Sequence, residues 1–191
     1  AGLEVHVINV GRGKTRILGD NRRLRWALGH LLENSINYTL PGGKITFRIG
    51  EVSQKRVIIR VEDTGVGIRE VDLPHIFNRF YRGEARTPDG KIIDPRGLGQ
   101  GLFIARAVVE AHGGYLAVES KVGVGSIFSL ALPLPGTPAE EIRQTRQETP
   151  LLPEPPIDPD ATTPNPYLAR PTTDETPTEP MPANSPPEPK P

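Results

Sequence analysis

DTGVGI (63–68), GLGQGL (97–102) and LGHLLENSINYT (28–39) are the three segments whose residue types and spacing suit chemistry. The first follows the strand-like run KRVIIRVED (55–63). A carboxylate at a strand end, here Asp63, can accept a hydrogen bond from the exocyclic amine of adenine. Gly65 and Gly67 behind it let backbone approach a flat base closely. A glycine turn capped by Asp63 fits the same residues. In the second segment Gly97, Gly99 and Gly101 alternate ahead of a helical pattern, offering backbone N–H groups and a helix N-terminus to phosphate oxygens. A hinge without ligand is the alternative. On the third, Asn34 lies four residues after His30 and three before Asn37, so the three share a helix face. An amide oxygen aimed into a cleft can ligate Mg²⁺, whereas a lone Asn on a helix is ordinarily just solvated.

Two other nucleotide signatures fail. A dinucleotide fingerprint needs G-x-G-x-x-G after a strand, but in GLGQGL the third glycine comes one residue early and residues 83–96 before it read as a loop. GRGKT (11–15) resembles the end of a Walker A loop, yet Ile8 stands where its first glycine belongs and no helix pattern begins at Lys14.

The elements that must position these residues follow from periodicity. LEVHVINV (3–10) alternates like a half-buried strand. Asp20 is a suitable N-cap for a helix carrying Leu24, Leu28, Leu31 and Leu32 and running to about Tyr38, where TLPGG (39–43) ends it. KITFRIGE (44–51) and KRVIIRVED (55–63) read as paired strands, and REVDLPHIF (69–77) as a short helix disturbed by Pro74. A helix from about Leu102 to His112 stops at Gly113-Gly114, and YLAVES (115–120) and GSIFSLAL (125–132) add two strands. Strands both in hairpins and separated by helices predict a two-layer α/β (α+β) sandwich: a mixed, mainly antiparallel sheet covered on one face by about three helices.

Composition divides the chain near residue 135. Of 22 prolines, 16 fall in residues 136–191, with 10 acidic and 4 basic side chains, a net charge of −6; residues 1–135 hold 19 basic and 13 acidic ones, +6. In the tail only Ile142, Leu151, Leu152, Ile157 and Leu168 come from the Leu/Ile/Val/Phe set, too few to offset the entropy of ordering, so 136–191 is expected to be disordered. The absence of Cys excludes a disulfide scaffold, a thiolate nucleophile and a Cys-rich zinc site. Zero net charge over 191 residues gives no basic footprint for nucleic acid, and no run approaches a membrane span. The chain opens on Ala almost directly in a strand-like run, which reads as a fragment of a longer protein.

Taken together, the segment from about Asp20 to Leu132 resembles the catalytic and ATP-binding (HATPase) domain of bacterial two-component sensor histidine kinases, in the superfamily (GHKL) of the gyrase and MutL ATPases. HLLENSINYT (30–39) is similar to the N box, DTGVGI (63–68) to the first glycine box, IFNRFYRG (76–83) to the phenylalanine box and GLGQGLFIARAVVEAHGG (97–114) to the second glycine box. GVGSIFSLALPL (123–134) fits the closing strand. The resemblance implies that Asp63 reads the adenine amine, that Gly65, Gly67 and Ile68 shape the base pocket, and that Asn34 holds Mg²⁺ on the phosphates. It places Asn37, Tyr38, Phe80, Arg82, Gly97, Leu98, Gly99, Gln100, Gly101 and Leu102 along the nucleotide, with His30 and Asn34 as the catalytic positions. Residues 79–100 would form a mobile lid with Arg82, Arg86, Lys91 and Arg96 as phosphate-clamp candidates. Phe77 and Phe80 would hold its base.

The implied partners are a dimerising helical hairpin that carries the phosphoacceptor His, and a response-regulator Asp. None of His6, His30, His75 and His112 sits in a phosphoacceptor context, so the chain is expected to bind ATP without labelling itself. A cytoplasmic domain of a kinase anchored elsewhere in a membrane fits, with no nucleic-acid or membrane contact of its own. Some positions depart from the family pattern. His30 stands where these kinases often have Asn and the related ATPases a water-activating Glu, and Glu33 is expected to point too far round the helix to substitute. Asn37 replaces a commoner basic residue, and Leu98 and Gln100 change side chains between the glycines. A nucleotide-binding or protein-interaction module without phosphotransfer, and an anti-sigma-type serine kinase of the same fold, are the alternatives.

Overall fold

Asp20 begins the first helix as its residue type predicts: its carboxylate accepts the Arg23 N–H at 3.1 Å, and α1 runs Asn21–Tyr38. Leu24, Ala27, Leu31 and Ser35 form its buried stripe, while Leu28 and Leu32 pack only partly, so the stripe lies slightly round from the all-leucine face. Thr39 N–H closes the last turn on Ser35 O at 3.1 Å. In this computed structural model the described residues are 2–11, 16–53, 55–95 and 97–138; residues 12–15 of GRGKT, Arg96 and the tail from 139 onward lie outside them.

The remaining elements are β1 (Glu4–Asn9), β2 (Lys44–Ser53), β3 (Arg56–Asp63), β4 (Ala85–Arg86), β5 (Ile92–Ile93), α2 (Gly101–Ala111), β6 (Tyr115–Lys121) and β7 (Gly125–Pro133). Five strands form a mixed sheet in the order β1-β2-β3-β7-β6, parallel between β1 and β2 and antiparallel elsewhere. Both helices cover one face. Leu31 of α1 and Val109 of α2 meet Ile45, Val61, Phe128 and Leu130 of the sheet in one core, all essentially without solvent contact. Burial of this apolar surface, at about 25 cal/mol per Å², is the main favourable term.

Three local expectations change. The segment 69–77 is a series of turns, not a third helix: Asp72 N–H bonds Arg69 O, and His75 and Ile76 N–H both bond Asp72 O, while Pro74 has no N–H with which to continue a ladder. Two helices, rather than about three, therefore cover the sheet. The strand β1 is an edge whose six residues are all exposed, because nothing among the described residues covers either of its faces. And the stretch read as a loop contains a small hairpin, Ala85 opposite Ile93 and Arg86 opposite Ile92, turned by Pro88-Asp89-Gly90 with Gly90 at φ 84°.

His112 ends α2 in a structural role. Its Nδ1–H donates to Val108 O at 2.7 Å, and its Nε2 accepts the Asp20 N–H at 2.9 Å, tying the end of α2 to the start of α1.

Candidate functional site

Strand β3 ends on Asp63 at the rim of a cleft of about 390 Å³ between α1, the glycine turn and the loop 79–100. The carboxylate is only 8% exposed. Its Oδ1 accepts the Gly65 N–H at 2.9 Å and the Ser126 N–H at 3.2 Å, and its Oδ2 accepts the Ser35 hydroxyl at 3.2 Å. Burial pushes this carboxyl above its ordinary 3.8, and the bonds from Gly65, Ser35 and Ser126 counter that without cancelling it. Oδ2 retains one lone pair for an external donor. Ser35 and Ser126 are therefore part of the site. Neither stood out in the sequence, although Ser35 sits one residue from Asn34 and Ser126 lies in the closing strand.

The two glycines of the turn serve the chain itself. A Cβ on Gly65 would come 2.5 Å from Tyr38 O, and one on Gly67, at φ 75°, 2.2 Å from Lys121 O. Backbone, not an incoming base, occupies that space. Gly67 lines the cleft and Gly65 does not. Gly67→Ala is expected to cost more than about 1 kcal/mol, read from chemical denaturation, because it strains both φ and the packing on the β6–β7 turn.

Helix α1 lines the cleft with His30, Asn34 and Asn37, the three that spacing puts on one face, and with Tyr38. Glu33 lies on the same rim despite its offset, its carboxylate 3.6 Å from His30 Nδ1, and is largely exposed. The His30 ring packs on Trp26 with centroids 5.2 Å apart, and its buried Nε2 has no hydrogen-bond partner. Burial raises the Tyr38 phenol, with the charges of Arg82 and Asp94 acting in opposite senses.

The opposite wall is Gly97, Leu98, Gly99, Gln100, Gly101 and Leu102, leading into α2, and Ile68 also lines the cleft. Gln100 precedes α2 without a side-chain cap, so the N–H groups of its first turn have no cap from that residue. The helix N-terminus faces the cleft. Arg82 also lines it, but its guanidinium is engaged across the lid by Asp94, by Pro95 O at 2.6 Å and by Gly97 O at 3.3 Å. Phe80 does not line the cleft. At φ 66° it donates its N–H to Gly99 O at 3.0 Å, joining the two lid stems, while Phe77 is buried with Arg106 5.6 Å over its ring. Arg86 and Lys91 stand on the hairpin outside the cleft wall.

No group of three or more His, Cys, Asp or Glu among the described residues forms a metal cage. A single amide, Asn34, together with phosphate oxygens is the donor set expected for Mg²⁺ carried by a nucleotide. The residues present fit that group: Asp63 with a free carboxylate lone pair, the Asn34 amide and a helix N-terminus without a side-chain cap all border one cleft.

The family model described as histidine kinase-, DNA gyrase B- and HSP90-like ATPase matches residues 19–136. Sensor protein SrrB of Staphylococcus aureus is 37% identical over 116 residues, 61% of this chain and 19% of that protein, so the chain spans about a fifth of such relatives. The mycobacterial sensor histidine kinase MprB is similar in structure, with a TM-score of 0.60 at 26% identity over 69% of this chain and 84% of that one. Full-length ShkA in complex with AMPPNP aligns with a TM-score of 0.57 at 26% identity, over 70% of this chain and 26% of that chain. Among the described residues no helix is long and apolar enough to cross a membrane.

Proposed function

Since the chain belongs to the family of histidine kinase-, DNA gyrase B- and HSP90-like ATPases, we propose that its cleft binds Mg²⁺·ATP and delivers the γ-phosphate to a histidine on a separate helical hairpin, for relay to a response-regulator Asp. The observation that carries this reading is the Asp63 carboxylate, buried and fixed by Gly65, Ser126 and Ser35 with one acceptor position left toward the cleft. Asp63 takes the adenine amine, with Ile68 against the base. Asn34 holds Mg²⁺, and when bound that cation neutralises charge on the phosphates. The first turn of α2 and the backbone of Gly97–Gly101 receive the phosphate oxygens. Asn37 and Tyr38 line the path between base and phosphates.

His30 stands where the related ATPases carry a water-activating Glu, and with its Nε2 buried and its Nδ1 against Glu33 neither ring nitrogen is free to take a proton from water, which supports transfer over hydrolysis. Glu33, though on the rim, is exposed and lies against His30 Nδ1. The division into a catalytic domain, 1–135, and a Pro-rich tail, 136–191, belongs to the same proposal, as does a cytoplasmic site of action.

Arg82 reaches the phosphates by leaving Asp94. The latter carboxylate is 74% exposed, so the pair is worth less than about 1 kcal/mol. Asp94→Asn is accordingly expected to tighten binding of an ATP analogue by about threefold, whereas Arg82→Ala weakens it. Equal affinity in Asp94→Asn and wild type would remove Arg82 from the phosphate site. The experiment for the transfer itself adds this 191-residue chain to a phosphoacceptor hairpin with γ-labelled ATP. Label should appear on the hairpin His and none on the chain. Label retained on the chain at Ser or Thr would favour a serine kinase.

A further inference from the structure

We propose that Asp72 is a positioning residue for the lid: it fastens the lid's root to the cleft floor and so governs how long a nucleotide is retained. The side chain is 5% exposed, and every bond it makes is internal. Arg69 grips it with two parallel bonds, Nε to Oδ2 at 2.7 Å and Nη2 to Oδ1 at 3.0 Å. The Tyr81 hydroxyl donates to Oδ1 at 2.7 Å. Gly83 lies so close that a Cβ there would be 3.0 Å from Asp72 Oδ2. Burial alone would raise this carboxyl, but the bonds from Arg69 and Tyr81 outweigh it and hold the group ionised below its ordinary value.

The contacts continue outward. Arg69 Nη1 stands 3.8 Å from Glu84 Oε2, Glu84 binds Arg86, and Arg86 Nη1 donates to Gly90 O at 3.0 Å in the β4–β5 turn. A line of charges thus runs from a buried carboxylate in the turns of 69–77, through the first lid stem, to the hairpin tip. Asp72, Tyr81, Gly83 and Glu84 all border the cleft, yet the carboxylate oxygens are already used by three donors and are not aimed at a ligand. Its part is to hold the stem. A buried carboxylate is costly unless fully bonded, so its loss leaves Arg69 and Tyr81 without the acceptor that fixes them. Lids held in this way commonly set the rate of ligand release.

The retention role rests on the nucleotide reading above; the anchoring role does not. The test uses the full chain with Asp72→Asn and, to keep the fold intact, Tyr81→Phe, which removes one hydroxyl and leaves the ring against His75. Without nucleotide, amide exchange of Gly90 and Lys91 should speed up about tenfold in both variants while amides of β3 and β7 stay unchanged, the loss expected for one charge-assisted bond. With a fluorescent ATP analogue, dissociation should quicken by a similar factor and association stay the same. Unchanged lid exchange in both variants overturns the anchor. Faster lid exchange with unchanged dissociation overturns the retention role. A wild-type chain that binds no analogue overturns the nucleotide reading and retention with it, while the exchange arm still decides the anchor.

Discussion

Asp63→Asn is expected to lower affinity for an ATP analogue by about 100-fold while leaving the protein folded and at least as stable at neutral pH. The substitution is nearly isosteric. An amide oxygen in the Oδ1 position still accepts from Gly65 and Ser126, and the amide nitrogen can donate to the Ser35 hydroxyl. What disappears is the acceptor facing the cleft, replaced by a donor that would confront the donor on adenine. A lost bond to a charged acceptor plus an unsatisfied pair of donors amounts to about 2–3 kcal/mol, hence the factor of about 100.

The stability side follows from the direction of the Asp63 shift. Its folded value is raised above the ordinary 3.8, so folding favours the protonated form. The stability this group contributes is present below the unfolded value and is lost as pH rises through the folded one. The amide that replaces the carboxyl has no such titration, so the Asp63→Asn variant should lack that part of the acid-side pH dependence. Calorimetric titration, with thermal melts on both sides of the ordinary carboxylate range, checks both halves. A variant that binds as wild type does would place adenine elsewhere, and one that unfolds would make Asp63 a structural residue first.

The second large effect belongs to Asn34. Asn34→Ala should leave an adenosine probe bound as in wild type yet abolish the gain in ATP-analogue affinity that Mg²⁺ confers. In a complete kinase it should cut histidine labelling by about 100-fold or more, because transfer depends on charge neutralisation at the phosphates. Removing a half-buried amide from the cleft side of α1 touches none of the core side chains Leu24, Ala27, Leu31 and Ser35, so the fold should be spared. Undiminished labelling would take Mg²⁺ away from this residue.

The sequence made much of this legible, and the reasons differ by element. Both helices announced themselves through a capping Asp20 and a Gly113-Gly114 stop, because caps and stops act locally. The paired strands were readable for the same reason. REVDLPHIF misled because its apolar spacing is helical while Pro74 and the demand of Asp72 for Arg69 and Tyr81 fold it into turns. The β4–β5 hairpin was legible in Thr87-Pro88-Asp89-Gly90 but was absorbed into a glycine-rich loop. At the site, Asp63, Asn34 and the second glycine segment could be found by type and spacing. Ser35, Ser126 and Asp72 could not, since each matters through a partner 28, 63 or 9 residues away that only the fold brings near. The glycines of the first box were read as shaping a base pocket, whereas only Gly67 lines the cleft and both admit backbone oxygens, those of Tyr38 and Lys121.

Uptake of Mg²⁺·ATP by the cleft between α1 and the loop 79–100 is tested by calorimetric titration of the 191-residue chain with a non-hydrolysable ATP analogue, with and without Mg²⁺. Saturable one-to-one binding that Mg²⁺ strengthens is the expected result. A folded chain that takes up no analogue under either condition would contradict it.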